Sequence, residues 1–562
     1  MTRRPARRSC PAVEALEDRV VPAVVQWDGG PSGTGTAWET AENWAGDVPP
    51  GPADDVVIGP AFSAFTIRTS SAKTVRQLTT YAPLGLTGVL EAVGVRAYSS
   101  FRLGGSSGDG IRGAVLTMSS GTTLTGSGTL DGVTIRGTVQ FGAADDSFGA
   151  QVVNGLTLDG TVLLGHEQNG EGQLFFHGSQ TISGSGTIEF QSPGRGQNFF
   201  PTGGRLYPTV MAIETAGDTL TLGPGVTITS RTPDPRPGLG FAYRIDDFGF
   251  GSPPQYIQVG AVGTIVNRGA IVGVTVRGSQ LINEGRLEAL DGDRAPQAPT
   301  LNRGLISLPA GTGVTFRQPV TFEAGAGTAG PGSLTLENLG TPSAPVPFEA
   351  LAADLGLTTA GFATPSLVGT LRLVNSHVRL ADANEDAPGF GNEAAYADTL
   401  VLDAASTLNL NGLNLYAHTI QNAGTIAGGS VAIPPDLSLS AVDTPAPVRA
   451  GEPATFSWTV ANTTDLTIGG PWEDALYLSL DRTLDPTDRL LAAVPRTGPL
   501  GPNSSYTGTV TLDLPGVEPG AYYLIVDTDR RGQVDNGRFV TNNARAAAAT
   551  FAVTVPDLAP GV

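Results

Sequence analysis

From Gly121 onward, short runs of Thr, Val, Ile and Leu alternate apolar with polar residues between glycines, as in Val133-Thr134-Ile135-Arg136 and Thr138-Val139-Gln140-Phe141. A period of two sends successive side chains to opposite faces, so each run predicts a strand with one buried face. The octet Thr123-Leu124-Thr125-Gly126-Ser127-Gly128-Thr129-Leu130 recurs as Thr181-Ile182-Ser183-Gly184-Ser185-Gly186-Thr187-Ile188. That offset of 58 fits three turns of about 19 residues. An Asn-x-Gly unit begins at Asn267, Asn283, Asn302 and Asn422, at spacings of 16, 19 and 120, the last close to six such turns. Asn and Gly tolerate left-handed backbone, so the unit suits a sharp corner, where stacked asparagines can exchange amide hydrogen bonds.

These recurrences predict an all-β protein with a long right-handed parallel β-helix over 62–432, because a single coil cannot bury its apolar face whereas a stack of coils closes a continuous core. Periodicity alone also fits a series of β-sandwiches, and the near-20-residue recurrence decides for the helix. Pro/Gly-rich stretches near 191–208, 232–256, 290–300 and 338–348 break the pattern and are predicted to leave the coils as loops. Ahead of the coils, Trp27, Trp38 and Trp44, with Asp54-Asp55-Val56-Val57-Ile58 after them, define a tryptophan-rich segment over 24–61. It resembles the Asn-Trp segment that opens many exported bacterial β-helical repeat regions, where aromatics cover the first coil. The alternative is a stacking platform for sugar rings.

At Ile433-Pro434-Pro435 the coil-length repeat ends and longer, more aromatic strands begin, which marks a domain over 433–555. Pro435-Asp436-Leu437, Gly451, Phe456-Ser457-Trp458-Thr459-Val460-Ala461-Asn462, Trp472-Glu473-Asp474, Tyr477-Leu478-Ser479, Tyr522-Tyr523-Leu524-Ile525-Val526-Asp527 and Asn542-Asn543 follow in the order seen in CARDB domains. The segment resembles that cell-adhesion-related family, which implies an immunoglobulin-like β-sandwich. The alternation from Thr455 to Val460 independently makes Trp458 a core residue. Asp535-Asn536-Gly537 stands where the family often carries glutamates, and Pro556-Asp557-Leu558 repeats Pro435-Asp436-Leu437, so 556–562 reads as the start of a second copy or a tail.

Over 1–23, Val13-Glu14-Ala15-Leu16-Glu17-Asp18-Arg19-Val20-Val21-Pro22-Ala23 resembles the LEPR-XLL N-terminal motif of large exported bacterial proteins, with Asp18 where the family usually has Pro and valines where it has leucines. The resemblance implies an extracellular or cell-surface location. Arg3, Arg4, Arg7 and Arg8 suit a secretory start, but Glu14, Glu17, Asp18 and Arg19 interrupt the apolar stretch that should follow.

Composition narrows the function. The 562 residues carry 33 basic and 52 acidic side chains, a formal net charge of −19, with Lys73 the only lysine. Nucleic acid is thereby excluded as a partner, and no apolar run is long enough for a transmembrane segment. Cys10 is the only cysteine, which removes intrachain disulfides and cysteine metal sites. His166, His177, His377 and His418 lack metal spacing and read as surface or turn residues. Gly325-Ala326-Gly327-Thr328-Ala329-Gly330 satisfies GxGxxG, but Pro331-Gly332 follow where a phosphate-binding helix must begin. No serine elbow occurs.

Asp382, Asn384, Asp386 and Glu393 occupy positions 1, 3, 5 and 12 of an EF-hand-like loop, hard oxygen ligands suited to Ca²⁺, although Ala387 replaces the required glycine and Pro388 follows it. Asp481, Asp485 and Asp488 form a second acidic cluster, which reads as a calcium site or as a polar hairpin. No cofactor is required. The expected role is a non-catalytic surface or matrix protein for adhesion or structural display, its partner a cell-envelope or extracellular polysaccharide or protein. The alternative is a carbohydrate-active β-helix enzyme, a polysaccharide lyase or glycosidase with an accessory sandwich, drawing on Asp145-Asp146 and His166-Glu167.

Overall fold

The structure is a computed structural model. It describes residues 22–555 except 107, 145, 147, 167–171, 192–209, 214, 231–237, 247–254, 262, 290–291, 295, 365, 385–391, 434, 465 and 535–541. The LEPR-XLL-like stretch up to Val21, the 556–562 segment and Asp535-Asn536-Gly537 therefore lie outside the described residues. Among the described residues the chain is almost wholly β, and no helix is long and apolar enough to cross a membrane. It divides into two compact units that part near residues 270–280.

The first unit is a parallel β-helix with three strand faces per coil. One face stacks Val24–Gln26, Asp55–Ile58, Gln77–Thr80, Gly94–Ala97 and Val115–Met118 in parallel register. It continues through Thr134-Ile135-Arg136, Leu156-Thr157-Leu158, Gln180–Gly184, Thr219–Leu222 and Thr264–Asn267. The coils thus begin at Val24, inside the tryptophan-rich segment. Alternation sends Val56, Leu78, Val95, Leu116, Ile135 and Leu158 inward, in register and buried. Each such side chain contributes about 1.5–3 kcal/mol of burial.

The tryptophans form part of this core. Trp44 is fully buried, Trp27 and Trp38 pack edge-on against it at 4.7 and 4.9 Å, and Trp44 Nε1 donates to Trp38 O at 2.7 Å. Rings enclosed in this way cannot stack on sugars, which rules out the platform alternative.

Coil length varies more than the sequence suggests. Leu124 pairs with Phe101 on the second face, whereas Ile182 pairs with Leu156 on the first. The recurring octets therefore do not stack, and their offset falls one face short of three coils. They share a local solution instead. Gly126 and Gly184 have φ of +82° and +90°, and a Cβ on either would stand 2.2 Å from the carbonyl oxygen of Leu103 or Leu158 in the neighbouring coil. Only glycine permits that approach. The 232–256 stretch, expected as loop, contains Gly238–Asp246, antiparallel to Gln255–Ala261.

The second unit holds coils over 280–427 and a sandwich. In the coils, Gln280–Asn283, Thr300–Asn302 and Val320–Phe322 stack in parallel. Asn283 and Asn302 are register partners, both fully buried, and Asn283 Nδ2 donates to Asn302 Oδ1 at 2.7 Å while Asn302 Nδ2 donates to Gly304 O at 3.0 Å. The expected amide ladder exists here. Asn422 does not join it, because it ends Asn414–Asn422 on a different sheet, paired with Leu402, and is exposed. A second ladder serves that corner: Asn375 Nδ2 donates to Asn338 Oδ1 at 2.8 Å, and Ser376 Oγ accepts from Leu339 N. Both asparagines are left-handed, with φ of 57° and 46°.

The stretches near 290–300 and 338–348 are likewise not plain loops. They supply the coil strands Gly292–Arg294 and Val346–Glu349, parallel to Thr312–Phe316 and His377–Ala381. Pro347 is tolerated because its strand ends its sheet. The GxGxxG run forms the strand Gly327–Ala329, paired with Leu305–Ser307.

The sandwich sets Leu437–Val442, Pro453–Asn462 and Ser505–Asp513 in one antiparallel sheet. Trp472–Ser479, Arg489–Arg496, Gly520–Asp527, Ala544–Ala546 and Phe551–Thr554 build the other, joined by the short strand Val448–Arg449. Trp458 is fully buried in the core between them, with Phe456, Val460, Trp472, Leu476 and Phe551. Its indole Nε1 donates to Asp474 Oδ2 at 2.8 Å, and the same buried carboxylate accepts from Tyr506 Oη and Thr528 Oγ1, each at 2.6 Å. Three donors make burial of that carboxylate tolerable. Beside it, burial pushes the Asp527 carboxyl up to about 6, with Asp529 and Asp474 adding to the shift and Arg530 opposing it.

Three outcomes are expected. Trp458→Ala should cost about 3–5 kcal/mol in denaturant unfolding; below about 1 kcal/mol the core assignment fails. Asn302→Ala takes the acceptor from Asn283 Nδ2 and should cost about 1–3 kcal/mol, while exposed Asn422→Ala should stay within about 0.5 kcal/mol. Asp527 holds its proton in the folded sandwich between its unfolded value near 4 and its folded value of about 6. This group therefore favours folding as pH falls through that window and opposes it above. Asp527→Asn should raise the melting temperature at pH 7 and flatten the pH 4–6 slope; an unchanged slope would contradict the shift.

Candidate functional site

In the second unit, three acidic side chains from separate strands or turns converge. Glu349 ends Val346–Glu349, Asp382 follows His377–Ala381, and Glu393 begins Glu393–Leu402. One carboxylate oxygen from each lies within 4.8 Å of the others, with Glu349 and Glu393 buried and Asp382 exposed. The register explains the meeting, since Glu349 pairs with Ala381 and the chain turns directly after it. Glu349 Oε1 accepts from the backbone N–H of Ala383 at 2.6 Å and of Asn384 at 2.7 Å, and Glu393 N donates to Asp382 Oδ2 at 3.4 Å.

The structure thus brings Asp382, Asn384 and Glu393 together around Glu349, whereas Asp386 lies outside the described residues. Strands flank the loop, not the helices of an EF-hand. The donor set is all oxygen, of the kind that holds Ca²⁺, but one Glu349 oxygen already fastens the loop backbone. Linear spacing hid Glu349, because it reaches the cluster through register from 33 positions before Asp382.

Asp481, Asp485 and Asp488 do not converge. Asp481 Oδ1 accepts from Thr483 N at 2.7 Å, Asp485 Oδ1 from Thr487 N at 2.8 Å, and Asp488 Oδ2 from Asp485 N at 2.9 Å. The hydroxyl and amide of Thr487 lower the Asp485 carboxyl. These are turn contacts, so the polar-hairpin alternative accounts for this cluster. Of the residues considered for catalysis, Asp145 and Glu167 lie outside the described residues and Asp146 pairs with Arg102. His418 is not a surface residue: it stacks on Phe362 at 3.7 Å and its Nδ1 meets Asp398 Oδ1 at 2.7 Å. His166, His377 and His418 are partly buried and His177 is exposed.

A second concavity lies elsewhere, on the first face of the first unit. There the outward side chains of successive strands line an open groove of about 500 Å³, among them Gln77, Thr79, Arg96, Thr117 and Arg136, over a floor at Gly94. Thr79, Arg96, Thr117 and Arg136 form one register row. Unequal steps of 17, 21 and 19 residues hid this row in the sequence, and which alternate residues face outward depends on register.

No family model matches the chain, and no curated protein matches it. Among solved structures it is similar to the CARDB domain of a Pyrococcus furiosus protein in complex with di-metal ions, at 17% identity and a TM-score of 0.18, covering 22% of this chain and 96% of that one. A solution NMR structure of the same domain aligns at 19% identity and a TM-score of 0.17, over 21% of this chain and 95% of that one. A β-glucosidase from Listeria innocua in complex with glucose aligns at 17% identity and a TM-score of 0.15, over 22% of this chain and 16% of that one. The chain is thus all-β and contains a region similar to a CARDB domain.

Proposed function

We propose that this protein is an exported, non-catalytic surface or matrix protein of a bacterium, acting in adhesion or structural display. The observation that carries the reading is the register row Thr79, Arg96, Thr117 and Arg136, in which parallel stacking fixes outward side chains one coil apart on a continuous face. A surface of that kind alternates hydroxyl and guanidinium along a line, which favours a chain-like partner over a small substrate. Ion pairs between neighbouring coils support the same reading, as Arg112–Asp131, Arg303–Glu323 and Arg317–Glu337 hold outer side chains in place. The CARDB-like sandwich fits an adhesive role, and a net charge of −19 makes divalent cations the natural bridge to an anionic envelope. Within the chain, calcium is proposed at Glu349, Asp382 and Glu393.

The test is to incubate the full chain with cell-envelope material and a polysaccharide panel, with calcium or with chelator, and to follow retention together with new reducing ends or unsaturated sugars. Retention without product, weakened by chelator, is expected. Sustained product release would overturn the non-catalytic reading, and identical retention with chelator would remove calcium from it.

A further inference from the structure

The groove on the first face adds a specific chemistry, in three features, to the row on which the adhesion reading rests. First, two guanidinia line it in a strongly acidic protein, and the one carboxylate of its lining, Asp55, pairs with Arg76 outside it. Arg96 is exposed and, among the described residues, has no carboxylate partner, while Arg136 meets Asp159 only at 3.5 Å with its side chain 59% exposed. The two guanidinia stand two strands apart in one register row, hence about 9–10 Å. Second, hydroxyl and amide groups stand near them among valines: Thr79 and Thr117 lie in the same row and Gln77 in the row beside it. Third, an aromatic platform borders the row. Tyr81 and Tyr98 are the next alternate positions after Thr79 and Arg96, and their rings stack at 4.2 Å and 3°. Tyr98 remains 41% exposed.

We propose that this groove binds an acidic polysaccharide laid across the strands, with carboxylates on Arg96 and Arg136, hydroxyls on Thr79, Thr117 and Gln77, and a sugar ring against Tyr98. Guanidinium is the cation that grips a carboxylate through two parallel hydrogen bonds. The exposed tyrosine offers an apolar face with a polar rim, which suits a pyranose. A peptide is disfavoured because it would need free backbone groups to add as a strand, and on this face parallel pairing to the coils on either side consumes them. Overall charge repels anions, so attraction is confined to this row. The proposal names the partner class of the adhesion reading and rests on it.

The test uses the full chain in chelator, so that no divalent cation bridges the anions. The probes are polygalacturonate, the same polymer with its carboxyls reduced, and polyglutamate, titrated by calorimetry. Polygalacturonate should bind, the reduced polymer at least about tenfold more weakly, and polyglutamate weakly. Arg96→Gln and Tyr98→Ala should each weaken polygalacturonate binding by about tenfold or more at unchanged melting temperature, Arg96→Lys should restore only part, and Arg372→Gln, on a different sheet, should change nothing. Equal binding of the reduced polymer, equal binding of polyglutamate, or no loss in Arg96→Gln would each overturn the assignment. A chain that adheres to envelope material regardless of Arg96→Gln loses the groove but keeps the adhesion reading. A chain that binds polygalacturonate through Arg96 yet never adheres keeps the groove and loses the reading.

Discussion

One coil of this protein cannot stand alone, because its apolar row needs a floor and a ceiling and its backbone needs partners above and below. Parallel, in-register stacking meets both demands at once. It places Leu78 over Val56 and Val95 over Leu78 while the backbone of the middle strand pairs in register with both neighbours. Corners must then recur where coils touch, and the chain meets that need with glycines such as Gly126 and Gly184, whose missing Cβ lets one backbone lie against the next. Where a corner is polar, the amides of Asn283 and Asn302 bond each other.

The same constraint frees the outer rows. An inward position is held to an apolar residue by the coils on both sides, whereas its outward neighbour need only fit the pleat, so specificity can be written there without disturbing the core. Arg96, Thr117 and Arg136 sit directly beside the buried positions Val95, Leu116 and Ile135. Ion pairs along these rows, such as Arg303 with Glu323 at 2.7 Å, are exposed and contribute little to stability. They matter more as positioning devices that keep long side chains aligned. In the sandwich the logic reverses: a buried carboxylate, Asp474, is surrounded by donors, and the core tryptophan is oriented by its hydrogen bond to that group.

The sequence disclosed architecture better than register. Alternation in Val133-Thr134-Ile135-Arg136 was enough for strands, and the 19-residue step from Asn283 to Asn302 located a true ladder, because that step is one coil without an insertion. Where insertions change coil length, recurrence misleads. The octets at Thr123 and Thr181 lie on different faces and Asn422 reaches a different sheet, since spacing counts residues whereas stacking counts corners. Glu349 was invisible for the same reason, being joined to Asp382 and Glu393 only through pairing. Burial of Trp458 was legible because local alternation suffices for it, whereas the stack of Tyr81 on Tyr98 required knowing that a 17-residue step was one coil.

Register is therefore the quantity on which the core, the outer row and the groove all depend, and disulfide trapping reads it directly. Thr138 is the register partner of Thr161, and Leu163 lies two positions further along the same strand. With Cys10 replaced by Ser, cysteines at 138 and 161 should oxidise readily, since parallel neighbours about 4.8 Å apart fall within the Cα separation a disulfide spans, while cysteines at 138 and 163 should stay reduced under the same conditions. Equal or preferential oxidation of the 138/163 pair would contradict in-register stacking and, with it, the outward row on which the functional reading stands.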